Sequence, residues 1–248
     1  MLTKPEISKL HALPEKPRVV QVVPLQFHFL SMDMPTDLNP RRRFYWATLS
    51  AVILISLSIA FVDRPASTWI HATLHGVEFF PEPTHLVDPM LPTAILGLVA
   101  AGVAAAFGWR PQAWGKTLIA CGLATLIAFV MKEPLKFVFG RTWPESWIDN
   151  NPSWIENGAY GFHFFHGGTG WGSFPSGHMT MITAPMAVLW QRTRRWRWLW
   201  AVPVLAVAIG LFGADYHFVG DMIAGVYLGV ACATGAVALT KKIGKSPC

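Results

Sequence analysis

The chain has 248 residues, of which 52% are hydrophobic and only 14% charged, with a mean hydropathy of +0.37. Soluble globular domains carry about 25% charged residues, so this composition excludes an ordinary soluble domain and points to the membrane. The formal net charge of +6 does not indicate nucleic acid, because the basic residues cluster between apolar runs, and the three cysteines (Cys121, Cys232, Cys248) form neither a CxxC pair nor a disulfide framework.

Residues 1–43 are polar, contain prolines and lack helical periodicity; they end in the basic "NPRRRF" and are expected to form a cytoplasmic tail. The first apolar run, 44–62, begins too far into the chain and is too long for a cleavable signal peptide. Five more runs follow, at 91–108, 116–134, 176–191, 198–214 and 221–240, the shorter of them extending into their polar flanks if they are to span a bilayer. Small residues such as Gly97, Ala101 and Ala105 let neighbouring helices approach closely. The expected fold is therefore all-α: a polytopic bundle of six transmembrane helices over 44–240, with outer-face loops at 63–90 and 135–175 and a short tail at 241–248.

Positive charge sets the expected orientation. Arg41–Arg43, Arg110 with Lys116, the arginines at 192, 194, 195 and 197, and Lys241, Lys242 and Lys245 all fall on one side of six spans. By the positive-inside rule that side is the cytoplasm of a plasma (inner) membrane, and both termini lie there. The opposite face receives the loop at 135–175, with Trp143, Trp147, Trp154, Phe162, Phe164, Phe165 and Trp171. Aromatic residues at this density suit the lipid–water boundary, and equally a lid packed over the helices.

Few ionisable residues stand at the outer helix ends, and they converge. Lys136 and Arg141 follow the third run in "KFVFGRTWP", His178 opens the fourth in "SFPSGHMT", and His217 and Asp221 join the fifth to the sixth in "ADYHFVGD". Charges at a membrane boundary are costly and mark function. His217 and Asp221 are spaced i, i+4, one turn apart on a helix face, where the carboxylate can fix the imidazole tautomer; the same spacing also fits a helix-start His followed by a first-turn acid. Pro175 and Ser176 read as a helix start, with the amides of Gly177 and His178 facing an anion at its positive end, although Ser-Gly is also ordinary capping grammar. Lys136 and Arg141 offer cations to a phosphate, or snorkel to the interface. The Gly-rich "HGGTGWG" at 166–172 lacks a Walker-type lysine, and "HFFH" (His163, His166) lacks nearby carboxylates, so no metal site is expected.

In this order the pieces resemble the type 2 phosphatidic acid phosphatase family of membrane lipid phosphatases. Its second motif stands intact as Pro175-Ser176-Gly177-His178, and its third keeps its end in "HFVGD", with a small-residue helix after it. Two family arginines are replaced: seven residues on from Lys136 stands Trp143, and six before His217 stands Leu211. The resemblance covers about 90–240 and implies a six-helix bundle of the phosphatidic acid phosphatase/haloperoxidase type. It further implies that His217 attacks phosphorus to form a phosphohistidine, Asp221 orients it, and His178 protonates the leaving alcohol and then activates water. Lys136, Arg141, Ser176 and the amide of Gly177 would hold the phosphoryl oxygens, with no metal and no cofactor. The implied partners are a lipid phosphate or pyrophosphate and the surrounding membrane lipids. Transfer of the phospho-head group to another lipid, and a non-catalytic transporter or scaffold with an eroded site, remain alternatives. Phosphatidate, phosphatidylglycerol phosphate, polyprenyl pyrophosphate and a phosphorylated glycolipid all fit as substrate.

Overall fold

The computed structural model describes residues 39–147 and 150–242; the expected tails at 1–43 and 241–248 lie mostly outside the described residues. The chain enters the bundle with α1 (Pro40–Leu57), which runs through a π-helical turn (Ser58–Val62) into α2 (Asp63–Leu74) without a break. Apolar helix extends over Arg41–Leu74, 34 residues. At 1.5 Å per residue this is about 51 Å, against about 30 Å for the hydrocarbon core of a bilayer. The apolar run of the sequence ends at residue 62. The helix continues past Pro65, whose missing N–H follows directly on the π turn, where the i→i−4 ladder is already interrupted. The start of the expected outer loop is thus helical.

A 3₁₀ segment (Glu82–Val87) leads into α3 (Met90–Ala106). The remaining helices are α4 (Ala113–Phe139), the single-turn α5 (Trp154–Asn157), α6 (Gly177–Arg192), α7 (Arg197–Gly213) and α8 (Val219–Lys242). Only isolated bridges, such as Arg141 with Phe162, interrupt this all-helical pattern among the described residues. Among the described residues five helical stretches are long and apolar enough to cross a membrane, one fewer than the six runs expected. The exception is α6. It starts only after Pro175, ends at Arg192, and has 16 residues, about 24 Å. Its polar Thr180 and Thr183 are buried inside the protein, as are Met179, Ile182, Ala184 and Val188. It packs against α4, α7 and α8, while α3 leaves Leu96, Val99 and Val103 exposed.

Close packing of α6 on α8 positions the two motifs. A Cβ on Gly225 would lie 2.7 Å from both the Ser176 carbonyl oxygen and Met179 Cβ; one on Gly229 would lie 2.7 Å from Thr183 Cβ. Neither approach leaves room for a methyl group, which is how small residues set helix–helix distance in membranes. The Ser176 amide donates to the Asp221 carbonyl at 3.1 Å, so the N-terminal ends of α6 and α8 are joined where His178 and Asp221 stand. At the other end, Arg192 donates to Thr240 Oγ1 at 3.2 Å and ties the C-terminal ends of the same helices.

Candidate active site

The site is built around Asp221, in the first turn of α8, where an acid complements the helix dipole. Its carboxylate is fully buried and accepts from the Phe218 amide at 3.2 Å, from the Ser173 hydroxyl and from Arg141 Nη1. His217 Nδ1 stands 3.6 Å from Asp221 Oδ2 and 3.5 Å from Ser173 Oγ. The 3.6 Å separation is longer than a hydrogen bond; in catalytic sites such contacts are often loose until ligand binds. With Nδ1 turned to the carboxylate, Nε2 is the nitrogen free to act. Burial pushes the imidazole below the ordinary histidine range, and the opposing pull of Asp221 does not cancel this. The ring is therefore neutral at neutral pH, the form that can attack.

His217 borders a cavity of about 760 Å³ that is also lined by Lys136, Gly177, His178 and Trp143. Lys136 projects from the last turn of α4; a Cβ on Gly177 would lie 3.6 Å from its Nζ, so the ammonium sits over the start of α6. Of the sequence-predicted residues, then, Lys136, Gly177, His178 and His217 share one cavity. Ser176 does not line it: its buried hydroxyl caps α6 by accepting from the Met179 amide at 3.4 Å.

Arg141 departs from its expected place. It is fully buried and lies outside the cavity lining, with Nη1 on Asp221 and Nη2 on Asp63 Oδ2 at 2.6 Å and on the Tyr160 hydroxyl at 3.0 Å. The rings of Tyr160, Phe162 and Phe218 surround its guanidinium, with centroids 4.6 to 5.3 Å from Cζ. Burial disfavours its charge, but Asp221 and Asp63 outweigh this and raise its pKa. Burial likewise pushes the Tyr160 phenol up to about 12. The guanidinium is thus paired with two carboxylates behind the imidazole, where it braces Asp221.

Asp63, the second carboxylate of this brace, escapes the sequence reading. It accepts from Ser58 Oγ at 2.8 Å and from the Gly220 amide at 2.9 Å. In the π turn the Asp63 amide bonds the Ser58 carbonyl, and the Ile59 carbonyl accepts the Tyr160 hydroxyl at 2.8 Å. Such turns recur at functional sites. A buried acid at the end of an apolar run was the available signal.

Hydrophobic side chains occupy the positions of the two replaced arginines. Trp143 lies against His217, ring centroids 5.0 Å apart, and its Nε1 donates to the Thr169 carbonyl at 2.8 Å. Leu211 packs among Met179, Ile182, Val207 and Met222. On another face of α7 Phe80 packs closely, since a Cβ on Gly213 would lie 2.2 Å from its ring. His163 and His166 both set their rings edge-on to Trp171, at 4.3 and 4.6 Å, and His166 with Gly167, Gly168, Thr169 and Gly172 of the Gly-rich segment also lines the cavity. A group the sequence did not bring together, His71, His75 and Glu145, has ligating atoms all within 4.8 Å of one another, outside the cavity lining.

Comparison with curated proteins and with solved structures gives no match. The family comparison does: the PAP2 superfamily matches residues 117–245, more than half of the chain, taking in Lys136, His178, His217 and Asp221. The chain belongs to the PAP2 superfamily.

Proposed function

We propose that this protein is a lipid phosphatase, hydrolysing a membrane lipid phosphate or pyrophosphate through a phosphohistidine on His217. Membership of the superfamily points to phosphatase or related phosphoryl-transfer chemistry. The observation that favours this reading is an imidazole backed by Asp221 on one side and bordering, on the other, a cavity that also holds His178 and Lys136. Nε2 of His217 attacks phosphorus, and the bond to the lipid oxygen breaks. His178 delivers a proton to that oxygen, then takes one from water as water displaces phosphate from the histidine. Lys136 and the amides of Gly177 and His178 meet the phosphoryl oxygens, where charge is concentrated. Beside the polar side chains of Lys132, Glu133, His166 and Thr169, the wall carries the apolar Val87, Leu91, Phe129, Phe137 and Met181, which suits a substrate whose phosphate is attached to acyl or prenyl chains.

Purified protein in detergent, given phosphate-labelled phosphatidate or polyprenyl pyrophosphate, should release free phosphate. Label passing to an acceptor lipid would establish transfer instead, and turnover of no lipid phosphate would leave only a non-catalytic role. Replacing Lys136 by methionine should lower kcat/KM by about 10- to 100-fold, the effect of losing one charge-assisted contact to phosphate. An unchanged kcat/KM would remove Lys136 from the phosphate site.

In a plasma membrane the basic helix ends favour the cytoplasm, which puts the cavity on the outer face. A cysteine placed at exposed Glu78 should then react with an impermeant maleimide added to intact cells, above the background of the native cysteines. Protection at that position would invert the orientation.

A further inference from the structure

We propose that His71, His75, Glu145 and Asp215 form a binding site for a zinc-class divalent transition-metal ion, separate from the catalytic cavity. His71 is in the last turn of α2, and His75 follows the helix directly. Four residues apart, they share one face, and their ring centroids are 4.4 Å apart. Glu145 comes from the segment after α4. Its Oε1 is 3.2 Å from His75 Nδ1 and its Oε2 is 3.8 Å from His71 Nδ1. Asp215, from the turn between α7 and α8, places Oδ2 3.8 Å from the same His71 nitrogen. Around a tetrahedral zinc with bonds of about 2.0–2.2 Å, neighbouring ligand atoms are about 3.4 Å apart. The separations of 3.2 to 3.8 Å are within a few tenths of an ångström of this; the ligating atoms of His71, His75 and Glu145 all lie within 4.8 Å of one another, and Asp215, which adjoins His71, reaches the ion by a side-chain rotation.

Two atoms of this cluster point to a ligand independently of its geometry. His71 Nδ1 and Asp215 Oδ2 are both buried without a hydrogen-bond partner. Asp215 is 3% exposed, and Ser67 fixes only its other oxygen, Oδ1, at 2.8 Å. Buried polar atoms of this kind are rare and call for a partner. One cation between them would satisfy the imidazole nitrogen and the carboxylate oxygen together. Two imidazoles and two carboxylates suit zinc and its neighbours better than magnesium or calcium, which prefer all-oxygen shells.

None of the four residues lines the cavity. Glu145 stands two residues after Trp143, and Asp215 two before His217. A metal here would clip α2 to both segments that flank the nucleophile. With ligands that all lie outside the catalytic cavity, and Asp215 at hand to close the shell, its role would be structural. The proposal does not depend on what His217 does.

The test uses the untagged full chain in detergent. Protein purified without chelator should contain one zinc per chain by elemental analysis. After chelator treatment it should take up one equivalent of Zn²⁺ in calorimetric titration, and Co²⁺ in its place should give the visible absorption of a tetrahedral site. His75→Ala is a mild change, because that side chain is 56% exposed. It should weaken zinc binding at least about tenfold with unchanged helical content by circular dichroism, and Glu145→Gln should do the same. His217→Ala should bind zinc as wild type does. Absence of zinc from the purified protein together with no stoichiometric uptake would overturn the proposal and leave plain histidine–carboxylate ion pairs. So would zinc binding undiminished by both His75→Ala and Glu145→Gln.

Discussion

Replacing His217 by alanine should abolish phosphate release from lipid phosphates, lowering kcat/KM by about 10⁴-fold or more, as removal of a covalent nucleophile does elsewhere. The fold should survive this change. Asp221 would keep the Phe218 amide, the Ser173 hydroxyl and Arg141, so no buried charge loses its partners. The space left beside Trp143 opens onto an existing cavity, which limits the cost of the lost packing. Rapid acid or base quenching of the wild-type reaction with labelled substrate should show protein-bound phosphate that is stable to base and lost in acid, the behaviour of a P–N bond. His217→Ala should show none. Equal turnover by the variant would remove the histidine from the chemistry altogether.

The parts of this site that were legible in the sequence are local ones. "PSGH" contains its own helix start, and "HFVGD" sets His217 and Asp221 one turn apart, so each motif arrives with its geometry. Lys136 was placed by the end of an apolar run. What remained illegible depends on segments far apart in the chain. Arg141 meets an acid 78 positions earlier, and nothing near "GRTWP" announces a second carboxylate. The π turn that aims Asp63 inward has no strong sequence mark, and the apolar run ends at residue 62 although the helix goes on. The replacement of an arginine by Leu211 could be seen, but not that it packs among Met179, Ile182, Val207 and Met222. The sixth span, α6, forms at its expected place but is short and enclosed by protein, and hydropathy registers an apolar run without showing whether protein or lipid surrounds it. Asp63 also lies outside the region matched by the superfamily, so α1 and α2 complete a site whose reactive residues all come from α4 onward.

That dependence on Asp63 makes Arg141 the second position of large effect. Arg141→Met should destabilise the protein by about 3–5 kcal/mol, because Asp63 and Asp221 would remain as buried carboxylates without their shared cation. Thermal unfolding in detergent measures this. Asp63→Asn combined with Arg141→Met should cost less than the sum of the two single changes, since the double variant removes a charge from each side of the pair. Arg141→Lys separates bracing from phosphate binding. Lysine keeps the charge but loses the fork that reaches both carboxylates at once, so Asp221 and His217 lose their fixed alignment. A misplacement of about 1 Å at a reacting group costs about 100-fold in rate. Because Arg141 does not line the cavity, that loss should appear in kcat with KM nearly unchanged. An arginine gripping substrate phosphate would behave in the opposite way, with KM raised and kcat largely kept, and that outcome would return Arg141 to the role its motif implies.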